Sequence, residues 1–284
     1  MSEYKKNSLS LAGTVSLGTG VMIGAAIFAL LGQVAELSGA LFPLVFLVGA
    51  IIVAFSAYSY IKVSDAYPSA GGIAMILQKA YGKTTITAGS ALLMAFAMII
   101  NQSLVARTFG SYTMQLFEAG AKSFWIPALG VLLLVTTFLI NIAGNKFIQK
   151  SALVMAILKV GGIAVFALGG LWAAGFSFEA AVPKEISGEY SMASYLGALA
   201  LAILAYAGFT TITNSGEEVK NPHKNVGRAI IISLLICAVV YVFVAIAVAA
   251  NLSVPRIIEA KDYSLAEAAR PAFGKYGLWF TVGI

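Results

Sequence analysis

The stretch GTGVMIGAAIF, Gly18 to Phe28, sits inside the first long apolar run of the chain and holds three glycines, Gly18, Gly20 and Gly24. A glycine in a helix interior costs about 1 kcal/mol relative to alanine. In a membrane segment the cost is greater in kind. Each backbone N–H or C=O left unpaired against lipid costs several kcal/mol, so irregular backbone survives only where a cavity, ion or ligand satisfies it. The glycines therefore read either as close-packing positions between helices, a use to which the spacing of Gly20 and Gly24 is suited, or as a deliberate break that frees backbone groups for binding.

Composition places this run in a membrane. Of 284 residues, 60% are hydrophobic and 11% charged, with a mean hydropathy of +0.91, whereas soluble domains carry ~25% charged residues. The formal net charge of +6 comes from basic residues dispersed among loops, which is no nucleic-acid footprint. A lone Cys237 excludes a disulfide framework and a thiolate cluster, and a lone His223 in a polar loop reads as a solvated residue. Nothing calls for a cofactor or a metal. The N-terminal MSEYKKNSLSLAG is too polar, and the run behind it too long, for a cleaved signal peptide.

Spans need about 20 mostly apolar residues. Seven runs qualify, at roughly 11–36, 41–63, 85–117, 125–145, 151–174, 192–217 and 227–250, and an eighth begins near Tyr276 and stops at Ile284 inside an apolar stretch, as a truncated span would. With the N-terminus inside, the inner segments hold ten Lys and Arg and the outer ones six, and the acidic residues lean outward. The positive-inside bias puts the N-terminus in the cytoplasm of a multi-pass inner-membrane protein. Two longer connections, Asp65–Lys83 and Leu252–Gly277, mix apolar and polar residues at helical spacing and read as short surface helices.

Those connections end alike, KAYGK at 79–83 and PAFGK at 271–275. The echo pairs span 3 with span 8, an offset of five. An odd offset gives two halves of inverted topology: residues 1–175 as a first repeat of spans 1–5, and 190–284 as an incomplete second repeat. Span 1 then corresponds to span 6, which is itself interrupted by AYAGFTT, Ala205 to Thr211. Paired broken spans mark the central site of a transporter. Half-helix ends offer N–H groups to an anion and carbonyls to a cation, which suits the zwitterion of an amino acid. The expected substrate-binding residues are Gly20, Met22, Ile23, Gly24, Ala25 and Ala26 on span 1, with Leu204, Ala205, Tyr206, Ala207 and Gly208 on span 6. The carboxylate is expected at the N–H groups of Gly24, Ala25 and Ala26, and the ammonium at the carbonyls near Met22 and of Leu204 to Ala207. Non-helical backbone is expected near 20–24 and 205–210.

Four motifs resemble one family, the amino acid–polyamine–organocation permeases: GTGVMIGAAIF its first-helix glycine motif, YPSAGGIAMILQKAYG its loop after helix 2, NIAGNKFIQKSALVMAILKVGG its helix 4–5 region, and GEEVKNPHKNVGRAI its helix 6–7 signature. The resemblance implies an all-α inverted-repeat fold with ten core helices and unwound helices 1 and 6. It also implies secondary transport of amino acids, by symport or exchange, in a protein longer than this chain. One departure stands out: Gly24-Ala25-Ala26 occupies a place where the family often has a third small glycine, and the methyl at 26 narrows the approach to the backbone.

Lys159 and Arg107 are the basic residues well inside spans, and intramembrane charge points to function. Lys159 lies about nine residues from the inner end of span 5, where desolvation disfavours the charged ammonium. The resemblance implies that this lysine meets carbonyls near Gly20 and Val21 and carries proton coupling. Arg107 is placed to snorkel or pair. Asn101, Gln102 and Ser103 either line a cavity or bond between helices, the second being the stronger expectation. The resemblance makes Glu217 and Glu218 a cytoplasmic gate facing Lys5 or Lys6. Asn221 and Pro222 form the turn into span 7. Rival classes fit less well. A seven-span receptor or retinal protein would want an outside N-terminus and a lysine in its last span. A polyamine or other amine permease would want an anionic side chain at the breaks. An intramembrane enzyme lacks HExxH, GxSxG or a span aspartate, and a channel lacks a continuous polar stripe.

Overall fold

The computed structural model describes residues 8–69, 71–117, 124–143, 145–177, 190–274 and 276–283. These residues are helical almost throughout. The elements are α1 (Leu11–Val21), a π segment (Met22–Ala26), α2 (Ile27–Ser38), α3 (Phe42–Ala66), α4 (Gly72–Tyr81), α5 (Thr85–Gln115), α6 (Trp125–Ala143), α7 (Asn145–Ala173), α8 (Met192–Tyr206), a 3-10 turn (Ala207–Phe209), α9 (Thr210–Asn214), α10 (Pro222–Asn251), α11 (Val254–Glu259), α12 (Ser264–Ala268), α13 (Arg270–Phe273) and α14 (Tyr276–Gly283). A further 3-10 turn, Lys261–Tyr263, lies between α11 and α12.

By length and composition, five stretches among the described residues are able to cross a membrane: Ile27–Ala66, Thr85–Gln115, Ala156–Ala173, Met192–Asn214 and Pro222–Asn251. The first is interrupted by a 3-10 turn at Gly39–Leu41, with Gly39 at φ +57°. Leu11–Gly24 and Trp125–Ile140 are shorter apolar helices. The expected seven runs thus all appear as helix, though two of them fall short of a full span by this measure. The two connections are helical as well, in α4 and in α11 to α13.

Local chemistry sets the ends. Ser10 caps α1 by accepting from the Gly13 N–H at 3.2 Å, and Ser191 caps α8 by accepting from the Ser194 N–H at 3.1 Å. Pro222 opens α10, preceded by Asn221 in the left-handed region at φ 51°. The echoed motifs end alike: Gly82 at φ +71° stops α4 and Gly274 at φ +56° stops α13. Both need a conformation that glycine adopts without Cβ strain.

The core lies where α1, α2, α3, α8 and α10 meet. Ile23, Ile27, Leu31, Phe42, Phe46, Tyr206, Ile230 and Tyr241 are all fully enclosed there. Apolar residues on α5 and α6 point outward instead, among them Leu93, Phe96, Ile99, Ile100, Phe138 and Ile142, as lipid-facing residues do. Those two helices cross at glycines, with Gly130 against the Ala106 carbonyl and Gly110 against the Ile126 carbonyl. Small residues at crossings supply the close van der Waals contact that holds helices together where lipid removes the hydrophobic drive.

Candidate functional site

At the first glycine motif the helix changes hydrogen-bond register without unwinding. Val21, Met22 and Ile27, with φ −75°, −65° and −67°, all stay right-handed helical around the π segment. Span 6 does the converse, tightening to a 3-10 turn over Ala207–Phe209 with Tyr206 at φ −86° and Ala207 at φ −62°. The expectation of non-helical backbone near 20–24 and 205–210 is therefore corrected. A register shift reassigns hydrogen bonds instead of abandoning them, which is the cheaper irregularity in an apolar surrounding. The polar run behind Gly208 is used in the same way. Thr210 donates to the Ala207 carbonyl at 2.9 Å and Thr213 to the Thr210 carbonyl at 2.6 Å.

The two irregular turns touch. A Cβ on Gly208 would lie 2.7 Å from Met22 Cγ and 3.1 Å from Met22 N, so glycine at 208 is what allows the crossing. Behind it stands Tyr241 of α10. Its hydroxyl is 2.5 Å from the Met22 carbonyl and 3.2 Å from the Ala205 carbonyl. These are two of the carbonyls expected to meet a substrate ammonium, and here a phenol donor from α10 faces both. Met22, Ile23 and Tyr206 are buried in the core and line neither of the cavities described next. The Tyr206 hydroxyl donates to the Phe46 carbonyl at 3.2 Å. The side chain of Ala25 lies outside the described residues.

Two cavities flank Val21 and Asn101, which line both. The larger, about 430 Å³, is bounded by Gly20, Gly24 and Phe28 of the first helical run, Gln102, Thr108, Tyr112 and Thr113 of α5, Lys159 of α7 and Thr281 of α14. The smaller, about 110 Å³, is bounded by Ala26, Met94, Ala97, Met98, Leu204, Ala205, Ala207, Gly208, Thr210 and Thr211. Of the expected binding residues, Gly20 and Gly24 thus come together with Lys159, and Ala26 with Leu204, Ala205, Ala207 and Gly208.

Lys159 reaches Gly24 directly. A Cβ built on Gly24 would stand 3.1 Å from Lys159 Nζ. No hydrogen bond or ion pair to Lys159 occurs among the described residues, so its ammonium is turned to the larger cavity. Asn101 and Gln102 also line that cavity, the other of the two expectations for them, and make no side-chain hydrogen bond among the described residues. Ser103 donates to its own helix at Ile100, at 2.8 Å. Thr113 also lines the cavity, and its Oγ1 is buried with no partner among the described residues. Among the described residues no acidic side chain lines either cavity. One cation and two amides suit an anionic or carboxylate-bearing guest.

The remaining polar residues serve closure. Arg107 pairs with Asp262 at 3.1 Å, and Lys261 with both oxygens of Glu36 at 3.0 Å. The Lys261–Tyr263 turn is thereby strapped to α5 on one side and to α2 on the other. At the other end, Leu9 pairs with the segment after α9: its N–H donates to the Glu218 carbonyl and its carbonyl accepts from the Lys220 N–H, both at 2.8 Å. Glu217 and Glu218 are half-buried there. Lys5 and Lys6, their expected partners, lie outside the described residues. His223 is no free loop residue, for its Nδ1 lies 2.6 Å from the Asp65 carbonyl and ties α10 to the end of α3. Among the described residues no group of side chains could hold a metal ion.

Sequence reasoning missed Tyr241, Tyr112, Met94 and Met98. The methionines sit at helical spacing with Asn101 on α5, a pattern that identifies a face, but which face meets a cavity depends on the neighbours.

A family model described as amino acid permease matches residues 9–284. An uncharacterized protein of Methanocaldococcus jannaschii is 34% identical over 277 residues, covering 97% of this chain and 62% of that protein. The inner membrane transport protein YbaT of Escherichia coli is 29% identical over 272 residues, covering 95% and 62%. The serine/threonine exchanger SteT of Bacillus subtilis is 27% identical over 288 residues, covering 96% and 61%. The chain thus spans about three-fifths of the length of these relatives. With its apolar helices and this match along nearly its whole length, the chain is part of a multi-pass membrane protein and belongs to the amino acid permease family.

Proposed function

We propose that the full-length protein carries amino acids across the cytoplasmic membrane by secondary transport, and that the paired cavities beside the two irregular turns are its substrate site. The observation that carries this reading is the meeting of Gly24 and Lys159 at a cavity that no acidic side chain lines among the described residues. A polyamine would need a carboxylate there. An amino acid brings its own, and Asn101, Gln102 and the lysine are suited to receive it, with the smaller cavity left for the side chain. A serine/threonine exchanger among the relatives fits a small guest.

Two finer readings accompany it. Lys159 is the proton-coupling residue: an ammonium with no counter-ion among the described residues, held in an apolar bundle, is poised to exchange a proton when the site changes access. The chain is also one repeat and part of a second, 1–175 and 190–284, with its N-terminus in the cytoplasm and Glu217 and Glu218 at the inner gate. Packing supports the repeat. The connecting helix α4 packs on α9, as the corresponding connection (α11 to α12) packs on α2, and α10 packs on α1 as α3 packs on α8. An offset of five spans with inverted halves produces that correspondence.

A thermal-shift screen of the purified full-length protein against amino acids and polyamines tests the substrate class. Small neutral amino acids should raise the melting temperature, and a response to polyamines alone would overturn the reading. Proteoliposome uptake under an imposed pH gradient without sodium tests coupling. Gradient-driven uptake that persists unchanged in Lys159→Ala would remove the lysine from that role.

A further inference from the structure

We propose that Tyr241 is a positioning residue for the substrate site: its single hydroxyl holds the π turn of span 1 and the 3-10 turn of span 6 in register and so sets the shape of the smaller cavity. This rests on the reading of that cavity as part of the substrate site, and on four observations. The tyrosine ring is fully buried and wedged between aromatic neighbours, with its centroid 6.0 Å from Phe46 and 4.9 Å from Tyr206, so the hydroxyl has little freedom of its own. That hydroxyl faces two carbonyls, of Met22 at 2.5 Å and Ala205 at 3.2 Å. Met22 opens the π segment and Ala205 lies two residues before the 3-10 turn. The two turns are also in direct contact, Gly208 crossing tightly on Met22 and Val21.

A phenol carries one hydrogen and these are two acceptors. The shorter contact takes most of the bond, and the Ala205 carbonyl has the weaker share. Any slip of one turn past the other, of the kind that opens or closes a site between them, must lengthen one of the two contacts. The hydroxyl therefore resists relative movement of the turns, and it does so from outside both cavities, since Tyr241 lines neither. Ala205, Ala207 and Gly208, which the hydroxyl fixes through the Ala205 carbonyl, do line the smaller one. Losing the hydroxyl leaves the ring in place and releases both carbonyls, with a loss on the scale of one buried hydrogen bond, about tenfold in an equilibrium constant.

The test compares Tyr241→Phe with Ser233→Ala in the full-length protein. Ser233 lies on the same helix, is equally buried, and donates to the Val15 carbonyl at 3.3 Å, in the regular part of span 1. It removes one buried inter-helix hydroxyl without touching either turn. Amide hydrogen exchange over 18–28 and 203–211 should quicken about tenfold in Tyr241→Phe and stay at the wild-type rate in Ser233→Ala. Uptake by Tyr241→Phe should show KM raised about tenfold with the maximal rate changed less than twofold. If Tyr241→Phe only lowers the melting temperature as Ser233→Ala does, with exchange at the turns and KM unchanged, the residue is a structural hydroxyl and the proposal falls. If the wild-type protein moves no amino acid, the transport reading fails while the exchange comparison still decides the role of Tyr241 in holding the turns.

Discussion

At the scale of single residues the site depends on two small positions. Gly24 is small because Lys159 Nζ occupies the space where a side chain would stand. A methyl there meets only the far end of a flexible side chain, so Gly24→Ala should fold, with stability changed by less than about 1 kcal/mol, since the helix-propensity gain offsets the crowding. Its effect belongs to the site. Displacing the ammonium should lower uptake at least tenfold, and comparing uptake with the melting temperature separates the two effects. Ala26 lines the smaller cavity, and its methyl takes volume from about 110 Å³. Ala26→Gly should cost about 1 kcal/mol of stability and improve uptake of bulkier side chains relative to alanine and serine. A competition series of graded amino acids measures this, and an unchanged ranking would remove Ala26 from specificity.

Among the elements, α5 makes two kinds of contact. Against α6 it is held by backbone proximity at Gly110 and Gly130. A Cβ at Gly110 would strike the Ile126 carbonyl, which is backbone and cannot step aside. Gly110→Ala should therefore destabilise by about 1–3 kcal/mol as overpacking does, seen as a lower melting temperature in detergent. Against the Lys261–Tyr263 turn it is held by Arg107 and Asp262, a pair whose arginine side chain is 67% exposed. Such pairs contribute less than about 1 kcal/mol and are screened by salt. Arg107→Ala should leave the melting temperature within about 2 °C but loosen the strap over α2 and α5. Proteolysis within 253–270 should quicken, and the wild-type protein should approach the variant at high salt. Equal cleavage of both proteins at low salt would exclude a clamping role for the pair.

On the scale of the whole molecule, the two ends of the bundle are closed by different chemistry. The end near Leu9 is closed by main-chain hydrogen bonds to Glu218 and Lys220, and the opposite end by ion pairs between Glu36 and Lys261 and between Arg107 and Asp262. The proposed orientation sets the first in the cytoplasm. Cys237 is buried and leaves introduced cysteines as the reactive ones. In intact cells a membrane-impermeant maleimide should label Ser253→Cys and spare Ser8→Cys, both of which are exposed positions. The reverse pattern would invert the topology, and with it the assignment of Glu217 and Glu218 to the inner side.

The sequence alone was enough for the helical class, the helices in the two connections, and the two places where regular α-helix lapses. Each of these rests on local chemistry: runs of apolar residues, glycine and proline at ends, and serine caps. Family resemblance placed Lys159 at the carbonyls near Gly20 and Val21, whereas the structure sets its Nζ beside Gly24. Only the tertiary structure decided how the lapses are resolved. A register shift replaces a gap, and Tyr241, 219 residues from Met22 and 36 from Ala205 in sequence, faces both carbonyls from a third helix. Likewise Asn101 and Gln102 face a cavity because of what surrounds α5, and Arg107 finds Asp262 at a separation of 155 residues. Inside a membrane backbone polar groups must be satisfied within the protein, and which distant side chain adds to that satisfaction is a property of helix packing that leaves no local mark in the chain.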